Sequence, residues 1–140
     1  MKVDVLLGSV GSDVHSVANN LLEKSLIDSS FKIHNIGVAV TREEWIHHCK
    51  NDQPKLVLIG SMNGDLLPVI ETIQSLKEVI DPGKILVGGK LNLGSQGKSL
   101  APLLRAHGVN ILESDNPSFA EISDICRALI ERNRSSTVAI

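Results

Sequence analysis

The chain has 140 residues, a formal charge of −2, 42% hydrophobic residues and 2% aromatic residues. The length fits one domain with a sizeable core, and with only Phe31, Trp45 and Phe119 as aromatics that core must be aliphatic. A slightly acidic chain with no basic cluster and few stacking rings excludes a nucleic-acid footprint, and no apolar run approaches the ~20 residues of a membrane helix.

Val3 to Leu7 reads as a short strand buried on both faces, as in a parallel sheet. The loop Gly8 to Asp13 follows. Val17, Leu21, Leu22 and Leu26 then recur at helical spacing, with Ser12 or Asp13 as the cap. Phe31 to Ile36 is the second strand. Thr41-Arg42-Glu43-Glu44 is a capping box that opens a helix whose apolar stripe is Trp45, Ile46 and Cys49. His47 and His48 are neighbours on that helix, so they point about 100° apart and cannot both face one small site. Lys55 to Ile59 is the third strand, ending in Gly60-Ser61-Met62-Asn63-Gly64, before a helix marked by Leu66, Leu67, Ile70, Ile73 and Leu76. Asp81-Pro82-Gly83 is a turn. Lys84 to Val87 is the fourth strand, closed by Gly88-Gly89, and Lys90 to Gly97 is a loop rich in Gly, Asn and Ser. Leu100, Leu103 and Leu104 mark a short helix with Gly108 near its end. Val109 to Leu112 is a fifth strand, and Phe119 to Ile130 a last helix. One domain is expected over residues 1–132, with a flexible tail over 133–140.

This alternation predicts an α/β fold: an open Rossmann-like or flavodoxin-like five-stranded parallel sheet with helices on both faces. The loops that follow the strands then share one edge, where such sheets bind ligands. On that edge the reactive-looking pair is Asp13 and His15. A neutral imidazole is a good ligand for cobalt, iron or zinc, and a nearby carboxylate fixes its tautomer. A surface histidine beside a capping aspartate is the bland alternative. Ser61 is a hydrogen-bonding group or a turn residue, and Gly88-Gly89 lets backbone approach a ligand closely. Cys49 and Cys126 lack close metal-ligand spacing, which argues against a structural zinc site. Neither a dinucleotide fingerprint nor a Walker-type motif is present. Two cysteines in helices, with no secretory segment at the start of the sequence, suggest a reducing, cytoplasmic setting.

Asp13-Val14-His15-Ser16-Val17-Ala18, then Gly60-Ser61-Met62-Asn63, then Gly88-Gly89 resembles the three-part pattern of the cobalamin-binding domain family, Asp-x-His-x-x-Gly, Ser-x-Leu and Gly-Gly. Within that family, the opening Leu7 to His15, the segment Asn35-Ile36-Gly37-Val38 and Val87-Gly88-Gly89 are similar to the small (sigma) subunits of glutamate mutase. The resemblance runs to about Glu131. Ala18 stands where the pattern has Gly, and Asn63 where it has Leu.

The resemblance implies that cobalamin binds with its lower base displaced from cobalt and its nucleotide tail in a cleft between the sheet and a helix. His15 becomes the lower axial ligand and Asp13 its hydrogen-bond partner. The implied contacts from the first loop are Ser12, Asp13, Val14 and His15. Those from later loops are Ser61, Met62, Asn63, Gly88, Gly89 and Asn92. The implied cofactor is adenosylcobalamin, and the implied activity a carbon-skeleton rearrangement of glutamate to 3-methylaspartate. A larger barrel subunit would cover the cofactor and hold the amino-acid substrate at the shared interface, so this chain alone is expected to be inactive. A corrinoid carrier, a cobalamin-dependent regulator and a flavodoxin-like domain without cobalamin are the alternatives. Carriers of this kind usually bear an N-terminal helical bundle, whereas this sequence opens on its first strand.

Overall fold

The computed structural model describes residues 2–10, 16–61, 67–89, 101–112 and 118–138. Five strands form one parallel sheet: β1 (Val5–Val10), β2 (Ile33–Val40), β3 (Leu56–Ser61), β4 (Ile85–Gly89) and β5 (Asn110–Ile111). Their order is β2-β1-β3-β4-β5. The helices are α1 (Ser16–Asp28), α2 (Arg42–Asp52), α3 (Leu67–Leu76), α4 (Ala101–Arg105) and α5 (Phe119–Val138). Leaving β1 the chain turns to one side of the sheet, and leaving β3 it turns to the other. The ends of β1 and β3 therefore flank the switch point of the topology, where doubly wound sheets open a crevice.

Side-chain alternation along the strands feeds two cores. Leu6 and Val10 of β1, Val57 and Ile59 of β3, and Ile85 and Val87 of β4 pack against Trp45, Cys49, Ile73 and Leu104 from α2, α3 and α4. Val5 and Leu7, Leu56 and Leu58, and Leu86 point to the other face, against Leu26 of α1 and Ile122, Cys126 and Leu129 of α5. The expected layers are present. The expected capping box at Thr41 is present too: the Glu44 amide donates to Thr41 Oγ1 at 3.2 Å, and the Thr41 amide donates to Glu44 Oε1 at 3.3 Å. A second box, missed in the sequence, opens α5, where the Glu121 amide donates to Ser118 Oγ at 3.1 Å and the Ser118 amide to Glu121 Oε1 at 3.4 Å.

β1, β3 and β4 end later than the sequence reading places them, while β5 is shorter, Asn110–Ile111 against the expected Val109 to Leu112. β1 runs on through Gly8, Ser9 and Val10, β3 through Gly60 and Ser61, and β4 through Gly88 and Gly89. Apart from Val10 these residues have low strand propensity, but they lie in strands paired on both sides, and the ladder bonds override the local preference. β2 also continues, to Val40, with register shifts against β1 and positive φ at Gly37 (95°) and Ala39 (53°). The segment from 133, expected as a tail, is helix as far as Val138. There Asn133 Nδ2 donates to the Gly83 carbonyl at 3.2 Å, and the neighbouring Arg132 donates to Asn110 Oδ1 at 3.1 Å. These bonds tie α5 to the entrance of the sheet beyond the end of its apolar stripe.

Candidate cofactor cleft at the carboxyl edge of the sheet

Ser61 is the last residue of β3 and pairs with Gly89, while Gly60 pairs with Gly88 on one side and with Ser9 on the other. Ser9, Gly60 and Gly88 thus form a row of small residues across the three inner strands. By alternation they face α1 and α5, the same side as Leu7, Leu58 and Leu86. The row lies at the carboxyl ends of β1, β3 and β4. Ser12, Asp13, Val14, His15, Met62, Asn63 and Asn92 lie outside the described residues. The structure therefore brings together the backbones of Ser61, Gly88 and Gly89, and the other sequence-derived site residues follow these strand ends in the chain.

The two facing glycines are glycine for different reasons. A Cβ built on Gly88 would lie 2.5 Å from Leu112 Cδ1. Leu112 is buried beyond β5, so its side chain fills the space over Gly88. A Cβ on Gly60 would meet, among the described residues, only the Gly8 carbonyl oxygen, at 3.8 Å, an ordinary contact. Gly8 itself points to the opposite face, where a Cβ would lie 2.9 Å from Ile36 Cγ1 and 3.0 Å from Trp45 Cζ2. Packing thus requires glycine at positions 8 and 88, whereas at Gly60 the described residues leave room. Gly60 is a site feature that the sequence reading used only as a motif neighbour.

A polar clamp holds α1 over this face. Asn35 of β2 donates from Nδ2 to Asn19 Oδ1 at 2.5 Å and to Glu23 Oε1 at 3.3 Å, and its own Oδ1 accepts from the Gly37 amide at 2.9 Å. Asn19 is 9% exposed, so the bond is shielded from water and holds its geometry. Asn19 lies four residues after His15 in sequence, about one helical turn. Its anchoring to β2 fixes where α1 begins, and so where the chain leaves the first loop. Next to the clamp, Ser9 Oγ accepts from the Ala39 amide at 3.2 Å, which pins the irregular end of β2 to β1. Asn35 was part of the sequence resemblance, but its pairing with Asn19 and Glu23 depends on how the helix packs on the strand and carries no local sequence signal.

Both cysteines are buried and free, and neither belongs to this edge. Burial pushes the Cys126 thiol up to about 12; burial, and secondarily the nearby Asp52 carboxylate, does the same for Cys49. Both act as core residues and not as nucleophiles. Among the described residues no helix is long and apolar enough to cross a membrane.

An open parallel sheet of this order, with small residues at its switch point, defines a ligand-binding α/β domain, and solved structures share it. The model superposes on a cobalamin-binding protein from Desulfitobacterium hafniense with a TM-score of 0.71 and 18% identity, covering 91% of this chain and 59% of that one. It also matches, with a TM-score of 0.68 and 16% identity over 97% of this chain and 99% of the other, the signal receiver domain of a modulated diguanylate cyclase from Desulfovibrio desulfuricans. These likenesses establish the fold. No protein-family model matches the chain. Sequence relatives narrow the family. A glutamate mutase sigma subunit from Carboxydothermus hydrogenoformans is 34% identical over 99 residues, 68% of this chain and 71% of the relative. One from Treponema denticola is 31% identical over 102 residues, 68% of this chain and 70% of the relative. The chain belongs to the glutamate mutase sigma subunit family.

Proposed function

We propose that this chain binds adenosylcobalamin at the carboxyl edge of its sheet and acts, together with a larger barrel subunit, in the rearrangement of glutamate to 3-methylaspartate. Family membership makes it one subunit of a mutase, an isomerase. The observation that carries the cofactor reading is the row Ser9, Gly60 and Gly88, where Gly60 leaves space on the face covered by α1 and α5. A long, thin group such as the cofactor's nucleotide tail needs a slot between sheet and helix with no side chains projecting into it. At Gly60 the residues present fit that need, and over Gly88 the Leu112 side chain closes the slot.

On this reading the chain's residues bind and tune. His15 would give an imidazole nitrogen to cobalt, and Asp13 would accept a hydrogen bond from the other ring N–H, which fixes the tautomer and raises ligand basicity. Ser12 and Val14 flank this pair in the first loop. Ser61 offers its hydroxyl to the buried base, with Met62 and Asn63 following it. Gly88, Gly89 and Asn92 line the far side of the tail. Asn35 and Asn19 set the start of α1, so that His15 is delivered to one place. When bound, the cofactor would supply radical chemistry from a weak carbon–cobalt bond, while the protein holds and orients it. The substrate lies against the larger subunit.

The experiment is co-purification of this chain with a larger subunit, followed by a mutase assay on glutamate with added adenosylcobalamin. Formation of 3-methylaspartate only when both chains are present is the expected result. Cobalamin binding without glutamate turnover would move the substrate assignment elsewhere, and absence of cobalamin binding would overturn the whole reading.

A further inference from the structure

We propose that His34, His48 and Asp52 form a binding site for a divalent transition-metal ion of the zinc class, distinct from the cofactor cleft. The ligand atoms of these three side chains lie within 4.8 Å of one another. His34 is the second residue of β2, an edge strand, and stands in register with Leu6. His48 and Asp52 are four residues apart on α2 and so share one face of the helix. His34 Nδ1 hydrogen-bonds Asp52 Oδ2. The His48 ring stands edge-on to His34, with ring centroids 5.0 Å apart and planes at 87°.

The donor set is two imidazoles and a carboxylate. Zinc takes three such protein ligands when a fourth position is left to water. With bonds of about 2.1 Å in tetrahedral geometry, neighbouring donors lie roughly 3.4 Å apart. The widest gap here therefore has to close by about 1.4 Å and the hydrogen-bonded His34–Asp52 pair has to open, changes that rotations about the side-chain χ angles provide. Asp52 is 4% exposed. A carboxylate this buried is retained when paired or metal-bound, and here it already points at an imidazole. The His34 side chain is 34% exposed, which leaves the open position in contact with solvent. The backbone behind the site is held firmly. The Val3 amide donates to the Asp52 carbonyl at 3.1 Å, and Gln53 caps α2 in the left-handed region, its amide bonding the Cys49 carbonyl. His47 lies beside the cluster and outside it: Asn51 Nδ2 lies 2.9 Å from its Nε2, and its ring stands edge-on to His48 with centroids 5.3 Å apart.

His34 stands opposite Leu6, four residues before Val10 at the end of β1, so about 13 Å along the strand separates the cluster from the carboxyl edge. A metal here cross-links α2 to the edge strand and leaves the cofactor cleft untouched. The inference does not rest on the function proposed above.

The test uses the full chain, stripped with a chelator and free of cobalamin, in a His15→Ala background that removes the other candidate imidazole ligand. Zinc chloride is titrated by calorimetry and thermal unfolding, and cobalt(II) chloride by visible absorption. One zinc per chain is expected, together with tetrahedral cobalt(II) bands. At free zinc a hundred times the dissociation constant, the folded-to-unfolded ratio should rise about a hundredfold. His48→Gln should weaken binding by at least an order of magnitude with the fold retained by circular dichroism, His34→Ala should do likewise, and His107→Ala should leave it unchanged. Zinc binding equally strong in His48→Gln, or no one-to-one binding at all, overturns the proposal.

Discussion

A methyl group added at Gly60 meets only the Gly8 carbonyl oxygen among the described residues, at 3.8 Å, and Gly60 is absent from the glycines with positive φ. Gly60→Ala should therefore fold well. Stability should be unchanged or raised by up to ~1 kcal/mol, because alanine narrows the unfolded ensemble. The same methyl group projects into the slot assigned to the cofactor tail, and overpacking a close contact costs about 1–3 kcal/mol. Urea unfolding and cobalamin titration of this variant should give undiminished stability beside an affinity weaker by roughly 5- to 150-fold. Undiminished affinity would show that the tail does not pass over Gly60. Asp4 offers a separate residue-scale check. Burial opposes its ionisation, but the Lys32 amide at 2.7 Å and the Lys55 ammonium at 3.1 Å outweigh it and hold the carboxyl below its ordinary value. Stability from this group is present above the unfolded pKa, about 3.9, and is lost as pH falls through the lower folded value. Asp4→Asn should cost under about 1 kcal/mol at pH 7, because the pair is part exposed. The difference should shrink in urea melts as the pH falls through the folded value.

At the scale of elements, the strand ends hold the lesson. The apolar runs Val3 to Leu7, Lys55 to Ile59 and Lys84 to Val87 located the three inner strands, because burial on both faces leaves a continuous hydrophobic signature. Their last residues read as loops, since Gly and Ser carry no such signature. Only neighbouring strands supply the bonds that extend β1 to Val10, β3 to Ser61 and β4 to Gly89. The capping box at Thr41 was legible because both partners are three residues apart. The Asn35–Asn19 clamp and the His34–His48–Asp52 cluster were not, because each joins a strand to a helix across the fold. Gly88 and Leu112 form another such long-range pair. Gly88→Ala should destabilise the protein by about 1–3 kcal/mol through collision with the leucine, and Leu112→Ala alone by about 2–5 kcal/mol through a cavity. In the double variant the new methyl group occupies part of that cavity. Denaturant midpoints should show a combined loss smaller than the sum by about 1 kcal/mol or more; simple additivity would mean that the two side chains do not share that space.

For the molecule as a whole, the order β2-β1-β3-β4-β5 fixes a crevice at the ends of β1 and β3 but leaves its occupant open, since a receiver domain shares the architecture over 97% of this chain. The sequence relatives distinguish the two uses of the fold. The central claim is that His15 replaces the cofactor's own base on cobalt. The most direct measurement is electron paramagnetic resonance of cob(II)alamin bound to protein labelled with nitrogen-15 histidine. If a protein imidazole is the axial ligand, the nitrogen splitting of each cobalt line changes from a triplet to a doublet on labelling, and His15→Ala abolishes the doublet. A triplet that survives labelling, or a doublet that persists in His15→Ala, would contradict the claim.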